Sequence, residues 1–142
     1  MTQSTQSKIG THDCNITKQA EEGISQKYLL GKLGSSETGV AVCGISDFPI
    51  GIITDEAAAP DVSGESAIVN VALLGGATTL QAVASGSVAA GALLVPAAGG
   101  KVQSLPEDSG TYNVIGLALT SATADGSRLE FMSCVPQLRV VS

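Results

Sequence analysis

The residues best suited to chemistry are few. His12, the one histidine in the chain, stands beside Asp13 and Cys14, and only here do nitrogen, oxygen and sulfur ligands meet in sequence. His12 and Cys14 could supply two metal ligands, but a tetrahedral site needs two more and no recognisable spacing provides them. A Cys/His nucleophilic pair needs its base fixed by a third group in a pocket closed to water. The tripeptide instead lies in a polar, aperiodic N-terminal stretch. No catalytic residue, cofactor site or metal site is assigned, and the chain is not expected to be an enzyme.

Other motif-like stretches have simpler readings. Gly99-Gly100-Lys101-Val102 sets a lysine at an expected hairpin tip, where carrier domains hold a lysine for acylation or biotinylation. The acidic or methionine neighbours of such sites are missing, so Lys101 reads as a solvated turn lysine. Gly75-Gly76-Ala77-Thr78-Thr79 lacks the Lys-Ser/Thr ending of a phosphate loop and reads as a turn. Asn15-Ile16-Thr17 matches a glycosylation sequon, which carries weight only behind a secretory signal. The pairs Asp55-Glu56 and Glu107-Asp108 fall in turns, where adjacent acids face water and nothing raises a pKa toward that of a catalytic acid. Cys14, Cys43 and Cys134 are widely spaced and form no Cys-x-x-Cys pair, which favours buried, reduced thiols over a disulfide framework or zinc knuckle.

The composition explains why chemistry is sparse. The 142 residues are 44% hydrophobic but only 14% charged and 3% aromatic, with 17 glycines and no tryptophan. At this length one domain buries about 68% of the surface of its extended chain, enough for a core without disulfides. An enzyme cleft needs convergent ionisable groups, which this composition scarcely supplies. The formal charge is −6 and is unevenly spread. Residues 1–32 hold four lysines against three carboxylates, whereas residues 33–142 hold three basic against ten acidic side chains. A polyanion is repelled by such a body, so nucleic acid is not an expected partner. The longest nearly apolar run, Val88 to Gly100, contains Pro96 and is shorter than the ~20 residues of a spanning helix. A membrane is not an expected partner either.

The elements that position these residues are expected to be β-strands. Residues 1–22 are rich in Ser, Thr and Gln and show no helical or strand period, which predicts an extended arm outside the core. About 20 extended residues at ~3.3 Å each reach roughly 65 Å, enough to grip a neighbour. Residues 23–142 change to short apolar runs broken by glycine-containing turns, the pattern of an all-β domain. Strands are expected near Tyr28–Leu33, Val40–Ile45, Pro49–Thr54, Ala67–Leu74, Thr78–Val83, Ala92–Val95, Lys101–Leu105, Val114–Ser121, Arg128–Val135 and Leu138–Val141, with one helical turn over Asp55–Ala59. In Arg128–Val135, alternation puts Leu129, Phe131, Ser133 and Val135 on one, mostly core, face. Gly75-Gly76, Gly99-Gly100 and Asp125-Gly126 mark tight reversals.

A faint repeat organises these strands. Ile24, Leu29 and Leu30 recur as Val88, Leu93 and Leu94, and Ile50-Gly51-Ile52-Ile53 recurs as Ile115-Gly116-Leu117-Ala118. The copies span about residues 24–74 and 88–135, and they predict two similar β units sharing one core, as a small Gly/Ala-rich barrel or sandwich. Gly51 and Gly116 interrupt apolar strands, where glycine marks a bulge, a sharp bend or a close backbone approach.

Three stretches go together: Pro49-Ile50-Gly51-Ile52-Ile53-Thr54-Asp55-Glu56-Ala57-Ala58-Ala59 followed by Gly64-Glu65, then Val88-Ala89-Ala90-Gly91-Ala92-Leu93-Leu94-Val95-Pro96, and Gly99-Gly100-Lys101-Val102 followed by Gly110-Thr111-Tyr112 and Ile115-Gly116-Leu117-Ala118-Leu119. On these residues the chain from about Ile24 to Pro136 resembles the capsid decoration, or cement, proteins of tailed bacteriophages. The resemblance implies a noncatalytic protein, commonly trimeric, that binds the outer surface of the mature head and locks major capsid protein subunits together. It implies synthesis in the host bacterial cytoplasm and residence in the virion. The polar N-terminal stretch from Met1 to Ser7 carries no signal-peptide pattern, in keeping with that expectation. The arm's charge beside an acidic body makes Lys8, Ile9, Thr11, His12, Asn15, Ile16 and Lys18 the expected capsid contacts. The competing class is a β-sandwich module on the head surface that binds carbohydrate or another host-surface ligand. Such sites stack aromatics on sugars, and the four aromatic residues, Tyr28, Phe48, Tyr112 and Phe131, lie within or beside the expected strands and leave few to spare; Tyr28 and Tyr112 are the ones such a site would use. A third class, an enzyme or acyl carrier, would show as a modified Lys101.

Overall fold

The structure, a computed structural model, describes residues 14–61, 66–76 and 78–142. In chain order its strands are β1 Asn15–Ala20, β2 Leu29–Leu33, β3 Gly39–Val42, β4 Gly51–Ile53, β5 Ile68–Leu73, β6 Thr79–Val83, β7 Leu93–Pro96, β8 Val102–Ser104, β9 Gly110–Ala118 and β10 Arg128–Val141, with a 3₁₀ turn at Ala98–Gly100. The first five close into a barrel in the order β1-β3-β2-β4-β5, and the last five form a sheet in the order β6-β10-β9-β7-β8. The fold is all-β, as the glycine-punctuated apolar runs predict.

The two halves are one architecture used twice. Antiparallel β1/β5, β5/β4, β4/β2 and β2/β3 in the first unit answer to β6/β10, β10/β9, β9/β7 and β7/β8 in the second. The register differs by one residue from the sequence repeat, in which Ile52 and Ile53 answer to Leu117 and Ala118. Leu29 and Leu30 face Ile53 and Ile52, and 64 residues further on Leu93 and Leu94 face Leu117 and Gly116. Isolated bridges Ile24 to Ala57 and Val88 to Ala122 occupy matching places. A parallel β1/β3 pairing closes the barrel, whereas one parallel bridge, Ala84 to Val102, draws the second sheet's edges together.

Gly51 and Gly116 show why a small residue is needed within β4 and β9. A Cβ at Gly51 would sit 2.4 Å from the Ala72 carbonyl oxygen, and one at Gly116 would sit 2.2 Å from that of Met132. Each glycine lets the neighbouring strand approach its backbone. Inside the barrel, Ala20, Ile24, Leu29, Val40, Ile53, Val69 and Val71 pack with Val83 of the second unit. A second cluster joins Leu30, Cys43, Ile52 and Leu74 of the barrel to Leu94, Ile115, Leu129 and Phe131 of the sheet. Tyr28 touches both clusters, and the Arg128 guanidinium lies 4.8 Å from its ring centre.

Several elements depart from the sequence reading. The expected arm does not extend to residue 22, because Asn15–Ala20 forms a wall of the barrel between β3 and β5. Its alternation turns Ile16, Lys18 and Ala20 inward, and a lysine at an inward position disguised the pattern. The Lys18 ammonium reaches the Glu37 carbonyl while its stem runs along the wall. No helical turn forms over Asp55–Ala59. Asp55 Oδ2 accepts the Asn70 amide at 2.8 Å, and Ala57 bridges to Ile24. The two strands expected over Arg128–Val135 and Leu138–Val141 are one, because a register shift between Ser133 and Gln137 accommodates Pro136. The shift also turns Val135 out of the core, to 63% exposure, although Leu129 and Phe131 are buried as predicted.

Candidate functional site

The described part of the expected arm, with Asn15, Ile16 and Lys18, belongs to the barrel wall. Asn15 Oδ1 accepts from Asn70 Nδ2 at 2.9 Å, Ile16 packs against the barrel core, and Lys18 is tied to Glu37. Lys8, Ile9, Thr11 and His12 lie outside the described residues.

The most exposed large apolar side chains among the described residues lie on a ribbon that the second unit extends beyond its sheet. β6 covers β10 only from Arg128 to Met132, and β7 covers β9 only at Gly116 and Leu117. Beyond those points β9 and β10 pair with each other from Gly110–Val141 to Val114–Gln137. Opposite residues of an antiparallel pair share a face, so Leu138 lies beside Asn113 and Val140 beside Thr111. Leu138 is 73% and Val140 71% exposed. At the root of the ribbon Leu93, Leu117, Met132 and Leu138 line an apolar groove of about 430 Å³. The alternation of Leu138 and Val140 was visible in sequence, but nothing local said that their face would lack a cover.

A second apolar point is a turn held rigid by charge. Asp47 Oδ2 accepts from Lys32 Nζ at 2.8 Å and from the Gly44 amide at 2.8 Å, so the backbone from Gly44 to Asp47 is tied to β2. The turn presents Ile45 at 60% and Phe48 at 59% exposure. The Lys32 hydrogen bond and the Gly44 amide hold the Asp47 carboxyl below its ordinary pKa, and the same carboxylate raises that of Lys32. Nearby, Glu21 accepts from the Ser35 amide at 2.8 Å and the Ser36 amide at 3.2 Å. Those two amides lower its pKa and wrap the β2–β3 loop around the carboxylate.

None of this builds a nucleophile. Burial, and then the Asp47 charge, push the Cys43 thiol up to about 12, and burial raises that of Cys134. Lys101 follows the Ala98–Gly100 turn, as the sequence reading expects, and its Nζ lies 2.7 Å from Asp125 Oδ1 in a surface ion pair. Among the described residues no group of three or more His, Cys, Asp or Glu side chains is placed to hold a metal ion.

No family model matches the chain, and no curated protein matches it. Among solved structures it is similar to the head fiber gp8.5 N base of bacteriophage phi29. The TM-score is 0.63. The alignment covers 88% of this chain and 97% of that one at 17% identity. What the two chains share is the fold. The likeness runs over both units.

Proposed function

We propose that this chain is a noncatalytic structural protein of the outer surface of a phage head, which binds the mature shell as a decoration (cement) protein and stabilises contacts between major capsid protein subunits. The observation that carries the reading is the fold shared with a head fibre base over nearly the whole chain. In this reading the protein self-associates, with a trimer favoured, and takes neither nucleic acid nor membrane as a partner. Stabilisation works by mass action. A protein that binds only the assembled shell adds RT ln(1 + [L]/Kd), about 2.7 kcal/mol per site at a hundred times Kd, at every site on the lattice.

The capsid-facing surfaces in this reading are the N-terminal residues Lys8, Ile9, Thr11 and His12 and the turn that presents Ile45 and Phe48. Co-sedimentation with purified expanded and unexpanded heads tests it. Saturable binding to expanded heads is expected, and binding to neither form overturns the cement role. Removing residues 1–12 leaves β1 whole and is expected to lower occupancy; unchanged occupancy removes the arm from the interface. A second reading, a head-surface module for host carbohydrate, is favoured by the exposed Phe48 ring, which could stack on a sugar. A glycan-array signal lost in Phe48→Ala would support it.

A further inference from the structure

The internal duplication supplies a comparison within one chain. In the barrel, β4 lies between β2 and β5, and β5 lies between β4 and β1, so neither offers an open edge. Their counterparts β9 and β10 are longer, at 9 and 14 residues against 3 and 6, and they overrun the strands that flank them. The excess is the ribbon from Gly110–Val141 to Val114–Gln137. It is a two-stranded element with both outer edges open among the described residues. An exposed apolar strand edge is a template for another strand, and a two-stranded ribbon alone is marginal in water.

The charges on this ribbon are split. Arg139 on β10 makes no ion pair among the described residues, whose ion pairs are Lys32–Asp47 and Lys101–Asp125. Glu107 and Asp108 lie in the turn that enters β9, held beside the ribbon by the Tyr112 hydroxyl, which donates to the Asp108 carbonyl at 3.0 Å. One strand therefore offers a cation and the approach to the other offers carboxylates. Asn113 Oδ1, on the face of Leu138, is shut from solvent without a hydrogen-bond donor among the described residues. The ribbon is satisfied neither at its edges nor on its apolar face.

We propose that the ribbon joins this protein to further copies of itself, the open β10 edge of one copy pairing with the open β9 edge of the next. Arg139 then meets the acidic turn of the neighbour, and Leu138 and Val140 gain cross-strand neighbours on the same face of the continued sheet. Because the two edges differ, the contact is head-to-tail and closes into a ring when the rotation allows. The inference rests on the self-association in the functional reading and is independent of attachment to a head.

Light scattering across a concentration series, with hydrogen exchange on the same samples, tests it. The full chain is expected to form a discrete oligomer and to gain amide protection at residues 111–113 and 138–140 as it assembles. Leu138→Lys and Val140→Lys are expected to raise the dissociation constant at least about thirtyfold, the size of a hot-spot loss, with an unchanged circular dichroism spectrum. Ile68→Lys, which removes a comparably exposed apolar side chain on the barrel, is expected to assemble normally. A protein that stays monomeric at every concentration overturns both the ribbon interface and the self-association. An oligomer insensitive to both ribbon variants, or without the change in exchange, overturns the ribbon interface alone.

Discussion

Adding one methyl group at Gly116 tests the geometry on which both units depend. A Cβ there would sit 2.2 Å from the Met132 carbonyl oxygen, more than 1 Å inside ordinary carbon–oxygen contact, and would also press on the Phe131 ring at 3.0 Å. The obstacle is backbone in a paired strand, so no side-chain rotation relieves it and β9 must separate from β10. Overpacking of this kind costs about 3 kcal/mol, which for a domain of this size lowers Tm by about 10 °C. Gly51→Ala, whose Cβ would lie 2.4 Å from the Ala72 carbonyl, is expected to behave alike. Gly86 supplies the control, since a Cβ there meets nothing within 4 Å. Gly86→Ala is expected to be neutral or slightly stabilising through the unfolded chain. Thermal and urea unfolding by circular dichroism measure all three. A Gly116→Ala protein within about 1 kcal/mol of wild type, or a Gly86→Ala protein equally damaged, would refute the close approach.

Other perturbations probe the core and the charged turns. Phe131→Ala removes the only fully buried aromatic side chain and should cost about 3–5 kcal/mol in urea unfolding. The carboxyl groups of Glu21 and Asp47 are held below their ordinary pKa. The stability they contribute is therefore present above about pH 4 and lost as pH falls through their folded-state values. Melting temperature should decline over that acidic range, and Glu21→Gln or Asp47→Asn should flatten the decline. With its pKa near 12, Cys43 stays a protonated thiol at pH 8. Ellman's reagent is expected to label it only after denaturant unfolds the protein.

The parts of the fold that read clearly from the sequence are those whose signal is local. β2 through β8 announce themselves as apolar runs bounded by glycine turns, and the recurrence of Leu29-Leu30 as Leu93-Leu94 exposes the duplication. β1 escaped because only Ile16 and Ala20 mark its inner face, with Lys18 between them, and what makes it a strand is the pairing with Ile68–Leu73 some fifty residues away. Pro136 read as a break because the bulge that absorbs it needs β9 as a partner. The surface was least legible. Alternation shows that Leu138 and Val140 share a face, but whether that face is covered depends on where β6 and β7 end. Asp47 likewise read as one acid among several until the fold set it against Lys32 and the Gly44 amide.

The proposal of a head-surface structural role meets its most direct test in electron cryomicroscopy of heads saturated with the purified protein. If the protein is a decoration of the mature shell, density fitting the double β unit appears at symmetry-related positions on the outer surface, in contact with more than one major capsid protein subunit. Saturated heads whose outer surface matches that of untreated heads would contradict it.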